Sequence, residues 1–543
     1  MYSTRKAAFL IFLVLLYLFF RGIGDHGLLD PLEGVNASIA LGMAARNNFS
    51  VPMLENAPYW GTSMGFWWLS AVTLRWFFGW IEFSVRFWPA LGGLGMAAAS
   101  WFIARRSGGG RAANYAAVLT GTSLLTYGVS QISSHHALYA CLVTMALAGA
   151  LYGFQNRRFF LLLHVSSVLA LIVHGPAGLI LPWLSLMLYA YLAEQEKFFL
   201  SAMFYWPGTL ATALLGGGYL CLCFFENPAL LTMMRYNPPA VAFSSLSESC
   251  LFLAAGFFPW VAIPFVTLKK TLPADWEVIQ PEERQNVLLL VWTAVFLFFG
   301  FFVGDALLLA VPLPALMSLC ALHLADAVEK RDSALFRKMI VIKFFLFMTF
   351  LCAGLPLIYA NNPNMSGTLM SVMPWAVLCL VFLGVGWYYA KTRQPHKLMR
   401  HLCNVALISL LPLAGAFDLL SENLAVRDIG LYLRGELKRD GLLVQHSMNI
   451  PSLYYYTAKD SLLVNAPAMP RTKGREALSE SALNRMWGNT SRIVMVIRRD
   501  QNEYLSRPQE IHDLYQTPDF VILSNRRRSS GSGESERPER IMQ

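Results

Sequence analysis

Four residues close together can do proton chemistry: Asp25, His26, Asp30 and Glu33. Carboxylates beside an imidazole can take up and release a proton near neutral pH. Asp30 and Glu33 are three apart, so both face one site if a helix begins at Pro31. The same spacing also serves capping, with Asp30 as N-cap and Glu33 as the N3 residue of a capping box. Arg86 follows Glu82 closely, and it either reaches the membrane interface, pairs with Glu82 or contacts a phosphate. His135 and His136 end one apolar run, and His174-Gly175-Pro176 sits between two others. A single histidine near a membrane surface is usually a polar interface residue, but three on one side point to a shared polar site. Pro228, Arg235, Tyr236 and Pro238–Pro239 mark a loop that covers it. The chain has no P-loop, no GxGxxG on a strand, no metal-spaced Cys/His set and no nucleophile elbow.

The elements that position these residues follow from composition. Of 543 residues, 56% are hydrophobic and 14% charged, against about 25% charged in ordinary soluble proteins. Mean hydropathy is +0.46. So few charges cannot cover a soluble protein of this size, and the wealth of Phe, Leu and Trp excludes a disordered one. A multi-spanning membrane protein remains. All eight cysteines lie in apolar stretches, where they read as small packing residues.

Apolar runs near 6–20, 84–104, 113–131, 137–155, 159–173, 176–194, 199–225, 249–268, 286–303, 306–325, 339–360, 369–390 and 401–418 give about thirteen spans. The first lacks a small-residue cleavage site and reads as an anchor. With the N-terminus cytoplasmic, Arg105–Arg106, Arg157–Arg158, Lys197, Lys269–Lys270, Lys330–Arg331, Arg337–Lys338 and the Lys391–Arg400 group all fall in cytoplasmic loops. The first loop (22–82), the loop at 227–248 and everything after 420 then lie outside. Within the first loop, 33–47 reads as an amphipathic helix and 63–80 as a helix in the interface, since a span there would invert every later basic cluster. After 420, short apolar strands at 442–444, 462–464, 493–497 and 520–523 alternate with helical segments. The expected fold is mostly α: a polytopic membrane domain (1–420), a small extracytoplasmic α/β domain (421–525) and a disordered tail (526–543). Arg526–Arg528 reads as a solvated basic tail.

These residues resemble a family, the glycosyltransferase C superfamily, and within it the lipid A aminoarabinose transferases and their protein O-mannosyltransferase relatives. His26-Gly27-Leu28-Leu29-Asp30-Pro31-Leu32-Glu33-Gly34 is similar to the first-loop motif H-G-L-W-x-P-D-E-x. Val51-Pro52 and Pro58-Tyr59-Trp60 are similar to V-P…P-Y-F, and Glu82-Phe83 with Arg86 to E-F-x-x-R. Gly175-Pro176 is similar to the K-G-P turn and Phe258-Pro259-Trp260 to H-P-W. In the last domain, Leu453–Tyr456, Arg492–Val496 and Val521–Asn525 follow the family pattern. The departures are specific. Leu32 stands at the family Asp, Gly61-Thr62-Ser63 at E-K-P, His136 at an outer Asp and His174 at the Lys of K-G-P, and Asp305 lies where a basic residue is expected.

The resemblance implies transfer of a sugar from a polyprenyl-phosphate donor to a lipid or envelope-glycan acceptor at the outer face of the inner membrane. It implies a catalytic carboxylate in the first loop: Glu33 matches the family residue, Asp30 is a new carboxylate in the adjoining position, and either can supply the base. His26, Tyr59, Arg86, His136 and His174 are implied on the substrate, with Arg86 and the protonated histidines stabilising the departing phosphate. No cofactor is assigned; Asp30-Pro31-Leu32-Glu33 does not read as a motif for a divalent metal, and no nucleic-acid partner is expected. The alternative is a catalytically silent relative that binds polyprenyl lipid or partners another envelope enzyme. A transporter would show internal repeats with broken mid-membrane helices, and no clear repeat is present.

Overall fold

The structure, a computed structural model, describes residues 4–59, 64–77, 81–226, 246–273, 276, 279–349, 366–410, 426–437, 441–467, 477–488, 492–504, 511–517 and 519–526. The chain forms two compact units, one of residues 1–26 and 62–423, the other of 27–61 and 424–543. The expected spans at 339–360 and 401–418 lie partly, and the covering loop with Pro228, Arg235, Tyr236 and Pro238–Pro239 wholly, outside the described residues. So do Trp60 to Ser63, Cys352 and the tail from 527 onward.

The first unit is helical. Among the described residues, six helices are long and apolar enough to cross a membrane. Helix α1 (Thr4–Phe20) packs on α4 (Ile81–Gly121), and the intervening α3 (Met64–Trp76) packs on α4 and on α7 (Phe160–His174). At 13 residues, α3 is about 20 Å long, short of a bilayer core. The expected separate spans at 84–104 and 113–131 take a different form. The first continues through Arg105–Arg106 to a break at Gly109 (φ 65°, ψ −166°), and the second is divided at Thr122–Ser123 into the end of α4 and a short α5 (Leu124–Gln131). Apolar runs mark where chain is buried, but a glycine in a left-handed conformation decides where the axis breaks.

Small residues set how closely these helices approach. A Cβ on Gly92 would lie 2.7 Å from the backbone at Ala137 and Leu138, so α4 meets the start of α6 (His136–Gly153) backbone to backbone. A Cβ on Gly178 would meet Ala170 of α7 just as closely, which seats α8 (Ala177–Leu192) against it. The seven described cysteines are free; Cys141, Cys223 and Cys320 are buried as packing residues, whereas Cys221 and Cys250 are exposed.

The second unit is built on a five-stranded sheet in the order β4-β3-β5-β7-β6: β3 (Gly441–His446), β4 (Ser461–Val464), β5 (Arg492–Arg498), β6 (His512–Gln516) and β7 (Phe520–Ser524). Strands β3, β4 and β5 are parallel, and β7 runs antiparallel to β5 and β6. Side chains alternate across it. Leu443, Val494, Val496 and Ile522 face the helix Arg427–Glu436, while Val444, Ile493, Met495, Ile497 and Val521 face the helix Glu480–Trp487. Arg492 ties β5 to the first of these helices, its Nη2 lying 2.7 Å from Glu436 Oε2. Strand β6 carries no apolar run and was not foreseen, because an edge strand with half-exposed residues has little apolar periodicity to show.

Residues 27–61 fold onto this sheet rather than standing as a loop of the membrane portion. They contain α2 (Leu32–Arg46) and a small hairpin, β1 (Met53–Leu54) with β2 (Ala57–Pro58). Helix α2 is not amphipathic as expected. It is buried almost all round, from Glu33 to Ala40 and again at Gly42 and Met43, because Gly, Ala and Ser let it sink beneath the helix Ser452–Thr457.

Candidate functional site

In the second unit, the chain at 28–34 is fastened to residues 451–456. The Leu28 N–H donates to the Tyr456 Oη at 2.9 Å, and the Ser38 hydroxyl donates to the Pro451 carbonyl at 2.8 Å. Ser452 grips Asp30 twice: its N–H donates to Oδ1 at 3.1 Å, and its hydroxyl donates to Oδ2. Asp30 is therefore not the side-chain cap of α2. The helix begins at Leu32 after Pro31, with no side-chain cap bond. Glu33 Oε2 reaches back to accept the N–H of Leu29 at 2.8 Å, one residue before the expected N-cap, so this bond is not the one a capping box makes.

This environment sets the chemistry of the pair. Burial pushes the Asp30 carboxyl up to about 7, the two bonds from Ser452 pull it partly back, and the nearby Glu33 charge adds to the rise. A carboxyl that titrates near neutrality is suited to general-base work. The close fit depends on Gly34. A Cβ there would collide with the Asp30 carboxylate and lie 2.7 Å from the Ser452 nitrogen.

A second clasp repeats the pattern. Glu55, in the turn of the β1–β2 hairpin, accepts the Ser461 N–H at 2.7 Å and its hydroxyl at 3.2 Å. Tyr59, on the same hairpin, is half-buried, and its N–H donates to the Pro52 carbonyl at 2.8 Å. The structure thus brings Asp30 and Glu33 together and places Tyr59 on the neighbouring hairpin.

In the first unit, Arg86 is fully buried near the start of α4. Its Nη1 donates to the carbonyls of Ile23 and His26 at 2.9 and 2.8 Å. His26 is itself buried, with Nδ1 3.1 Å from the Gly22 carbonyl. Arg86 and His26 are thereby brought together, with the guanidinium bracing the chain that follows α1.

A second group of polar side chains lies in this unit. The Ser133 hydroxyl donates to the Val85 carbonyl, which joins the 133–136 turn to α4 beside Arg86. His136 is 2% exposed, and its Nε2 lies 3.2 Å from Asp305 Oδ2. Asp305, 8% exposed, also accepts the Leu307 N–H at 3.0 Å and so caps the 3-10 turn Ala306–Ala310. His135 Nε2 and His174 Nδ1 share a hydrogen bond of 2.9 Å. The rings of His135 and His136 stack at 4.2 Å, and the Tyr139 ring stacks on His174 at 4.1 Å. Gly175 has φ 106°, a conformation that favours glycine, and this turn ends α7 at His174. In the same unit, Leu181, Leu184, Leu188, Phe298, Phe299 and Phe302 line an apolar groove between α8 and the helix Arg284–Val303.

Sequence reasoning placed His135, His136 and His174 at one shared polar site, named Asp305 only as a departure from the family pattern, and left out Tyr139. Asp305 carried a signal, a carboxylate between two apolar runs. Tyr139 carried one only in its helical spacing from His136. Ser452 carried none. Among the described residues, no group of three or more His, Cys, Asp or Glu side chains is placed to hold a metal ion.

No family model matches the chain. A curated relative, an uncharacterized protein of Aquifex aeolicus (strain VF5), is 26% identical over 223 residues. That match spans 39% of this chain and 42% of the relative's length. Among solved structures, ArnT from Cupriavidus metallidurans bound to undecaprenyl phosphate superposes with a TM-score of 0.78 at 18% identity, covering 97% of this chain and 99% of that one. This chain has the fold of ArnT. The apo form of the same ArnT gives a TM-score of 0.78 at 17% identity over 96% and 98% of the two chains.

With six helices among the described residues long and apolar enough to cross a membrane, the chain is a membrane protein. The positions at which it departs from the expected motifs now have neighbours. His136, at an expected Asp, has acquired Asp305. His174, at an expected Lys, has acquired His135 and Tyr139. Leu32, at the expected Asp, opens α2, and the carboxylate gripped by Ser452 is two residues earlier, at Asp30.

Proposed function

We propose that this protein is a glycosyltransferase that moves a sugar from a polyprenyl-phosphate donor to a lipid or envelope-glycan acceptor. The observation that carries this reading is the fold shared with ArnT over nearly the full length of both chains. That likeness is one of fold, and the residues supply the chemistry. An acceptor hydroxyl attacks the anomeric carbon, the bond from that carbon to the phosphate oxygen breaks, and polyprenyl phosphate leaves. The hydroxyl proton passes to a carboxylate, for which Asp30 with its near-neutral titration is the candidate and Glu33 its neighbour. Within the helical unit, taken by itself, the rings of His135, His136 and His174 are polar groups of the kind that hold a phosphate, and the apolar groove of that unit suits an isoprenoid tail.

The placing of every basic cluster between apolar runs supports a cytoplasmic N-terminus, and hence an extracytoplasmic sheet unit and an inner-membrane site. The test is a comparison of envelope glycans by mass spectrometry in wild type, a deletion strain and the Asp30→Asn/Glu33→Gln double variant. Transfer predicts that the double variant reproduces the deletion, and unchanged glycans would sink the reading. A second reading, a silent lipid-binding relative, draws on Arg86, whose Nη1 is engaged with two backbone carbonyls. It predicts a deletion phenotype that the carboxylate variants lack.

A further inference from the structure

Residues 451–456 contribute a serine that no motif singled out. Ser452 donates from its N–H to one oxygen of Asp30 and from its hydroxyl to the other. A carboxylate group has about four lone-pair directions, two on each oxygen. Ser452 occupies one on each, which leaves one on each for a substrate. Two anchors on two oxygens also fix the plane of the carboxylate, which a single bond does not. Pro451 is held in turn by the Ser38 hydroxyl, and Tyr456 by the Leu28 N–H, so the serine is bound to the segment that it orients on both sides. Gly34 is the residue that leaves room for this approach.

We propose that Ser452 is a positioning residue for Asp30, holding its carboxylate in the one orientation in which it takes the acceptor's proton. The inference rests on the transferase reading for that last step, while the positioning itself rests on the two hydrogen bonds. Both donors favour the charged carboxylate, against burial and the Glu33 charge, which favour the neutral acid. Ser452 thus keeps a base available near neutrality at a place where burial would otherwise quench it.

The experiment is an infrared pH titration of the full chain in lipid nanodiscs. The carbonyl band of protonated Asp30 is identified by its loss in Asp30→Asn. Ser452→Ala removes one of the two donors, and the band's midpoint is expected to move up by about one pH unit, tenfold in proton affinity. Ser452→Thr retains the hydroxyl and is expected to keep the wild-type midpoint. Should Ser452→Ala fail to fold, Ser452→Cys, a weaker donor of similar size, is expected to shift in the same direction. A midpoint unchanged in Ser452→Ala, even with lowered thermal stability, would overturn the proposal, because a merely structural serine lowers stability and leaves the titration alone. The outcomes separate the two readings. Unchanged glycans in the double variant remove the transferase while the titration shift stands. Glycans lost in Asp30→Asn beside an unshifted Ser452→Ala midpoint remove the serine's role and leave the transferase.

Discussion

His136 Nε2 lies 3.2 Å from Asp305 Oδ2, and the two residues are 169 positions apart in the chain. Asp305 has two duties there, as partner of a buried imidazole and as N-cap of the turn that follows. The two can be separated. Asparagine is as good an N-cap as aspartate, so Asp305→Asn is expected to lose the ion pair and keep the cap. Asp305→Ala loses both and is expected to be less stable than Asp305→Asn by about 1 kcal/mol, read by thermal unfolding of the detergent-solubilised protein. Equal stability of the two variants would refute the capping role.

Asp30 makes stability depend on pH with a definite sign. Its carboxyl is raised from 3.8 to about 7 in the folded chain, so between those values the folded state holds a proton that the unfolded state has released. Its contribution is therefore fully present below about pH 4 and is lost as pH rises toward 7. Asp30→Asn is expected to flatten the stability curve over that window, as read by denaturant unfolding at a series of pH values. A curve with the wild-type slope in Asp30→Asn would contradict this assignment.

Two glycines of the sheet unit should respond in opposite directions to alanine. A Cβ on Gly34 meets the Ser452 nitrogen at 2.7 Å and the Asp30 carboxylate, so Gly34→Ala is expected to cost about 1–3 kcal/mol. A Cβ on Gly435, in the helix Arg427–Glu436, meets nothing within 4 Å, so Gly435→Ala is expected to stabilise by about 0.5–1 kcal/mol. Proteolytic susceptibility of the full chain checks both, and the same sign for the two variants would count against the packing described here.

Arg86 braces two carbonyls from one guanidinium nitrogen. Arg86→Ala leaves those buried acceptors short of a donor, at about 1–3 kcal/mol each. Arg86→Lys is expected to recover only part of the loss, since an ammonium on a flexible stem does not reproduce the guanidinium geometry. Membrane-fraction yield and thermal unfolding read this series, and a wild-type Arg86→Ala would show that the brace is dispensable.

Composition alone was enough to identify a membrane protein, because a chain with 14% charged residues cannot hydrate the surface of a soluble fold of this length. Hydropathy placed most helices, and short apolar runs placed β3, β4, β5 and β7, because burial on both faces needs unbroken apolar sequence. The carboxylates at Asp30 and Glu33 and the histidines at His136 and His174 were legible for a related reason: polar groups near membrane depth are costly enough to stand out.

What each of them touches was not legible. That Asp30 is held by Ser452 rather than capping α2, that Asp305 finds His136, and that residues 27–61 group with the last sheet are all relationships between residues far apart in sequence, 169 positions for Asp305 and His136 and 422 for Asp30 and Ser452. A hydrogen bond leaves no periodic trace in either partner's sequence. Only the folded chain, by bringing the backbone close at Gly34 and Gly92, decides which donor meets which acceptor.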